Sequence, residues 1–342
     1  MRYFCVALII LSTSLSFTAC KKEFTGLSAH ANEIFWVTNN GADMPVRVMG
    51  NTSSKVIILI IHGGPGDGSF DYEDVKTERL RENYAVAFWD QRNSGASAGN
   101  NNLNALSLPQ MISDLEVVVK VLNVRYAGAD IFLCAHSFGG LLSAGYLVKN
   151  SNQNAVKGWI DIDGAHDYPL TNALSRKMLI DTAESEIDKN HYAPEWQYIL
   201  DYCSTHDPSS SYKVSSQIET YAHQAESYMG IQQNYSLSLA EDPFDELANY
   251  YNLHYSSAGI DFLESLDSAS YSDQLYKIKI PALLLWGQFD FVVPTAVGEN
   301  AMANLGSVYK KMVQCPHSGH HPMETDTELV EDEIINFIEN FK

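Results

Sequence analysis

"LCAHSFGGLL", residues 133–142, joins an apolar run to a run of small residues. Ser137 sits at the junction, with Ala135 and Gly139 two residues away on either side. The pattern differs by one added methyl group from G-x-S-x-G, the sharp strand-to-helix turn that exposes a serine hydroxyl. Small residues are needed there because strand and helix approach closely, and alanine adds only that methyl. Ser137 is therefore a candidate nucleophile, provided the chain around it alternates strand and helix. It must also supply a base, an acid that orients the base, and donors for an oxyanion.

The alternation is legible. "VIILIIH" (56–62) is a continuous apolar run, as expected of a strand buried on both faces of a parallel sheet. "YAVAFWD" (84–90) predicts a second strand, and residues 109–124 carry apolar side chains at helical spacing behind Pro109. "ADIFLCA" (129–135) is a third strand, followed by a helix over 139–150. "VKGWIDID" (156–163), "IPALLLWG" (280–287) and "SVYKKMVQC" (307–315) predict three more strands, and 326–341 an amphipathic helix. Strands alternating with helices indicate an α/β fold with a mostly parallel sheet flanked by helices.

Residues 165–273 break the rhythm. They are rich in Tyr, Ser, Asp and Glu, are patterned as helices, and hold 18 Asp and Glu against four Lys and Arg. The expected organisation is a first core part at 21–164, an inserted acidic helical cap at 165–273, and a second core part at 274–342. The ordinary explanation of such acidity is a set of solvated helix faces.

"LLLWGQFDFVVP" (283–294) places Asp290 in a loop just past a strand. Asp163, which ends "IDIDG", is the second candidate acid. "QCPHSGHHPMETD" (314–326) offers His317, His320 and His321 as bases. His320 is preferred because Gly319 permits the tight loop that would aim its ring at Ser137. Ser137, Asp290 and His320 then follow the chain order Ser…Asp…His. "HGGPG" (62–66) follows the first buried strand, and the amides of Gly64 and Phe138 are the candidate oxyanion donors. The loop lacks the G-K-[ST] ending of a phosphate loop. Such a mechanism requires neither a metal nor an organic cofactor, and no Cys/His spacing suggests a zinc site.

A net charge of −20 argues against nucleic acid as a partner. The N-terminus reads as an export signal: Arg2, the run "VALIILSTSLSF" (6–17), then Ala19 before Cys20. "FTACKKE" is similar to a bacterial lipoprotein cleavage site, with Cys20 as the acylated residue. The alternative is a plain signal peptide cut near Ala19. A lipid at Cys20 would hold the protein at a bacterial membrane, periplasmic or surface side, without a spanning helix. The remaining Cys134, Cys203 and Cys315 are too few and too scattered for a disulfide framework.

These motifs together resemble the α/β-hydrolase superfamily. More narrowly, "HGGPGDG" (62–68), "WDQRNSGAS" (89–97) and "GQFDFVVP" (287–294) are similar to signatures of the proline iminopeptidase (prolyl aminopeptidase, S33) group. The chain departs from that pattern in two places. "AHSFGG" stands where the group carries G-G-S-W-G, and Asn93 where it carries glycine. The resemblance implies an acyl-enzyme serine hydrolase that releases N-terminal residues, proline included, from small peptides. It also implies that Asp90 and Arg92 brace loops. A carboxylesterase or other acyl hydrolase is the alternative, and a non-catalytic binding protein on the same fold a further one.

Overall fold

The computed structural model describes residues 30–72, 75–99, 103–149, 151–231 and 243–342. The run 6–17 and Cys20 lie outside the described residues. The strands in chain order are β1 (His30–Asn39), β2 (Ala42–Asn51), β3 (Val56–Ile61), β4 (Ala85–Trp89) and β5 (Ala98–Gly99). They continue as β6 (Asp130–His136), β7 (Gly158–Ile162), β8 (Ala282–Gly287) and β9 (Lys310–Cys315). The helices are α1 (Glu78–Asn83), α2 (Leu108–Arg125), α3 (Phe138–Leu147), α4 (Tyr168–Asp188), α5 (Ala193–Thr205) and α6 (Tyr212–Tyr228). After them come α7 (Pro243–Tyr255), α8 (Ser257–Leu266), α9 (Thr295–Asn304), α10 (Pro322–Thr325) and α11 (Thr327–Phe341).

The sheet order is β1-β2-β4-β3-β6-β7-β8-β9, with β5 pairing β2 off that path. Every pair from β4–β3 through β8–β9 is parallel, while β2 runs antiparallel to both β1 and β4. Alternation along β3 explains its unbroken apolar run. Ile57, Leu59 and Ile61 enter one hydrophobic core, and Val56, Ile58 and Ile60 enter the other, across the sheet. The first core packs under α2 and α3. The second is closed by Leu80 of α1 and by Val330, Ile334, Phe337 and Ile338 of α11.

The sequence analysis assigned no element to residues 30–51, where β1 and β2 form an antiparallel hairpin on the sheet edge. Its outer strand leaves Ile34 and Trp36 about half exposed, so it lacks the continuous apolar signal of a buried strand.

Helices α4–α8 occupy the stretch between β7 and β8. The two ends of that stretch are clasped together. Tyr168 N–H donates to Ala269 O, Tyr271 N–H donates to His166 O, and Asp167 Oδ2 accepts from the hydroxyls of Ser270 and Ser272. Asp167 also caps α4 by accepting from Leu170 N–H. Among the described residues no helix is long and apolar enough to cross a membrane.

Candidate active site

The parallel strands deliver the candidate residues to one end of the sheet. Ser137 follows β6, Asp290 follows β8 and His320 follows β9, all beyond the carboxyl ends, where open α/β sheets place their sites. Ser137 adopts φ 55°, ψ −120°, a sharp turn between β6 and α3. Ser137 N–H donates to Ile162 O, and its own carbonyl accepts from Ala165 and Gly140. These bonds hold the turn against its backbone strain. A Cβ on Gly139 would lie 2.1 Å from Ile61 O, so α3 passes β3 at a distance only glycine allows. Ala135, the departure from G-x-S-x-G, is paired within the sheet and fully buried.

Ser137 Oγ–H donates to His320 Nε2 at 2.9 Å, and His320 Nδ1–H donates to Asp290 Oδ2 at 2.9 Å. Asp290 Oδ1 accepts from Val292 and Val293 N–H at 2.8 and 2.7 Å. Asp163, the second candidate acid, lies beside this pair, its side chain hydrogen-bonded to Asp290 and its Oδ1 accepting from Gly287 N–H. Burial, and then the Asp290 charge, push the Asp163 carboxyl well above the usual range. Burial raises Asp290 as well, but the Val293 and Val292 amides oppose that rise. With three donors against one, Asp290 is the better holder of negative charge. Burial pushes the His320 imidazole down to about 3, so it is held neutral, with Nε2 the acceptor of the Ser137 hydroxyl. His317 instead pairs with Asp326, outside this chain of bonds.

Gly64 lines a cavity of about 400 Å³ together with Ser137, His320 and His321. Phe138 is buried and begins α3, whose first-turn amides have no partner within the helix. The opposite wall comes from α6, α7 and α8, with Tyr212, Glu219, His223, Tyr250 and Leu263 among its residues. Asp67 and Asp267 also line it, and among the described residues no lysine or arginine does. Glu219 opens into the cavity. Surrounding protein, then the charges of Asp67 and Asp267, push its carboxyl up to about 7.

Two residues that the sequence analysis passed over sit beside the site. Tyr72 O–H donates to His136 Nδ1 at 2.6 Å, and His136 Nε2–H donates to His320 O at 2.7 Å. Gly63 N–H reaches Tyr72 Oη at 3.4 Å. His136 lies inside the quoted elbow, so its position was visible in the sequence. Ligand-type atoms of His136, Asp163 and His320 fall within 4.8 Å of one another. All four ring nitrogens of the two histidines, however, are engaged in the hydrogen bonds above, so a metal ion would have to break them.

Asp90 and Arg92 brace loops. Asp90 accepts from Ser69 and from Ala96 N–H, while Arg92 makes a buried bidentate pair with Asp114. Asn93 has φ 57°, a left-handed conformation that asparagine tolerates better than most residues and glycine adopts freely. That accounts for asparagine standing where glycine is expected.

This sheet, with its flanking helices and strand-end site, is the α/β-hydrolase fold. Residues 52–226 match the family described as serine aminopeptidase, S33, and the chain belongs to that family of hydrolases. It is 22% identical over 280 residues to the probable aminopeptidase YbaC of Bacillus subtilis, covering 78% of this chain and 83% of that protein. Among solved structures, it is similar in fold to a proline iminopeptidase from Mycobacterium smegmatis, with a TM-score of 0.60 and 15% identity over 90% of this chain and 98% of the other. It is also similar to an esterase from Exiguobacterium antarcticum, with a TM-score of 0.57 and 18% identity over 90% and 100%.

Proposed function

We propose that this hydrolase works through an acyl-enzyme on Ser137 and that its preferred substrates are small peptides with a free N-terminus, proline among the first residues accepted. Ser137 Oγ attacks the acyl carbon as its proton passes to His320 Nε2. The amides of Gly64 and Phe138 hold the oxyanion. The intermediate collapses, and the leaving amine takes the proton from His320. Water then repeats the sequence on the ester, releasing the acid and restoring Ser137. Asp290 holds the His320 tautomer and stabilises the imidazolium.

The single observation behind the substrate class is the acidic cavity wall. Glu219, Asp67 and Asp267 line the same cavity as Ser137, and no lysine or arginine among the described residues lines it. An ammonium group leaving water needs such carboxylates, whereas a neutral ester does not. A matched panel of amino-acid anilides, their N-acetyl forms and neutral aryl esters tests this reading. Free-amine anilides should exceed their N-acetyl forms by at least about tenfold, the loss of one pairing worth ~1.4 kcal/mol. Equal rates, with faster esters, would establish the carboxylesterase alternative. Ser137→Ala should lower kcat by about four orders of magnitude while remaining folded. A folded variant with near-normal turnover would overturn this mechanism, whereas a wild type with no turnover and no fluorophosphonate labelling would establish the non-catalytic binding-protein alternative.

The export reading rests on the sequence alone: the run 6–17 ends at Ala19–Cys20. Cys20→Ala should release exported protein from the membrane fraction, and an unmodified mature terminus beyond residue 20 in mass spectrometry would refute lipid attachment.

A further inference from the structure

Helix α6 carries Glu219, His223 and Glu226 at i, i+4 and i+7, along one face. The first two line the cavity. Glu226 lies deeper and is fully buried. Its carboxylate is placed against main chain. Oε1 accepts from Phe291 N–H at 3.1 Å and from His320 N–H at 3.2 Å, and Oε2 receives His320 N–H at 3.3 Å. Phe291 directly follows Asp290, so one side chain holds both the acid-bearing loop and the histidine that the acid orients. Gly319 fits against it so closely that a Cβ there would stand 2.5 Å from Glu226 Oε2. A carboxylate buried this way is costly to desolvate unless it is given hydrogen-bond donors, and two main-chain amides are among those it has here.

We propose that Glu226 is a positioning residue that fixes the main chain of His320 and of the Asp290 loop from α6. The helix that presents Glu219 to the substrate thereby also sets the acid–base pair. This rests on the reading of Ser137, His320 and Asp290 as the reacting machinery. Glu226 touches neither the substrate space nor the reacting atoms. It acts on kcat through geometry, because small misplacements of reacting groups are expensive in rate.

The test compares Glu226→Gln, Glu226→Asp and Glu226→Ala in the full chain, measuring kcat and KM on the preferred anilide, fluorophosphonate labelling rate and thermal unfolding. Glu226→Ala should lower kcat and labelling about 10- to 100-fold, with KM within about threefold of wild type. Glu226→Gln keeps an oxygen acceptor for both amides and should recover kcat to within about fivefold of wild type. Glu226→Asp keeps the charge but withdraws the acceptor by one methylene, so it should resemble Ala. It also serves as the decisive variant if Ala does not fold. A folded Asp or Ala variant with wild-type kcat overturns the proposal. A raised KM at unchanged kcat also overturns it, by making Glu226 a substrate ligand. So does a Gln variant as poor as Ala, because charge rather than acceptor geometry would then matter. Failure of the underlying reading looks different: Ser137→Ala would keep both turnover and labelling.

Discussion

His136 Nε2–H donates to the main-chain oxygen of His320 across 2.7 Å, although 184 residues separate them. Tyr72, on the loop after β3, supplies the proton to the other ring nitrogen of His136. The three residues link the loop bearing Gly63 and Gly64 to the loop bearing the base. Burial, then repulsion from His320 whenever that ring is protonated, drive His136 down to about 3, so it remains neutral and keeps one donor and one acceptor. Tyr72→Phe removes the donor to His136 and the acceptor for Gly63 N–H, and leaves a buried nitrogen unpaired. We expect kcat/KM to fall about 5- to 30-fold, the equivalent of ~1–2 kcal/mol. Unchanged steady-state kinetics in the folded variant would remove the link from the mechanism.

Asp290→Asn should cost on the order of 10⁴ in kcat, by presenting a donor to His320 Nδ1 and selecting the wrong tautomer, as in the serine-protease template. Asp163→Asn should cost far less, because Asp163 accepts from Gly287 N–H and burial favours its neutral form. Steady-state kinetics of the two variants side by side checks this. The reverse ranking would transfer the acid's role to Asp163.

Gly139→Ala should destabilise the protein by about 1–3 kcal/mol or prevent folding, since its methyl would meet Ile61 O at 2.1 Å and packed backbone cannot yield cheaply. Ala135→Gly restores the G-x-S-x-G spacing and should lose only about 0.5–1 kcal/mol, the ordinary cost of glycine in a strand. Thermal unfolding distinguishes them. Equal stability of the two variants would mean that α3 and β3 are less closely apposed than described above.

The acidic wall predicts a particular pH dependence. Glu219 is raised to about 7, first by the protein surrounding the cavity into which it opens and then by Asp67 and Asp267, so it is neutral below that pH and charged above it. The preference for a free amine over its N-acetyl form should therefore grow from about pH 6 to about pH 7.5. It should decline above about pH 8, as the substrate's own α-amino group, with its pKa of about 7.7–8.0, loses its proton. Glu219→Gln should flatten the rising limb. A preference independent of pH in wild type would dissociate Glu219 from amine recognition.

The sequence by itself determined the parallel part of the sheet and the ordering of the candidate residues, though not the β1–β2 hairpin at the sheet edge. Runs such as Val56–Ile61 are buried on both faces of a parallel sheet and so announce themselves locally, and "AHSFGG" marks a strand-to-helix turn from its own small residues. It also named two strand-end aspartates and three histidines. Only the tertiary structure showed that Asp290 hydrogen-bonds His320 while Asp163, beside it, accepts from Gly287 N–H, because a loop's path past the sheet edge is set by packing and not by local pattern. Glu226 was wholly invisible. In sequence it is one acid among the many between 165 and 273, and among its partners are main-chain amides 65 and 94 positions away, which carry no side-chain signature at all. Hydrophobic periodicity is a property of neighbouring residues, whereas a carboxylate's role depends on which backbone the folded chain brings to it.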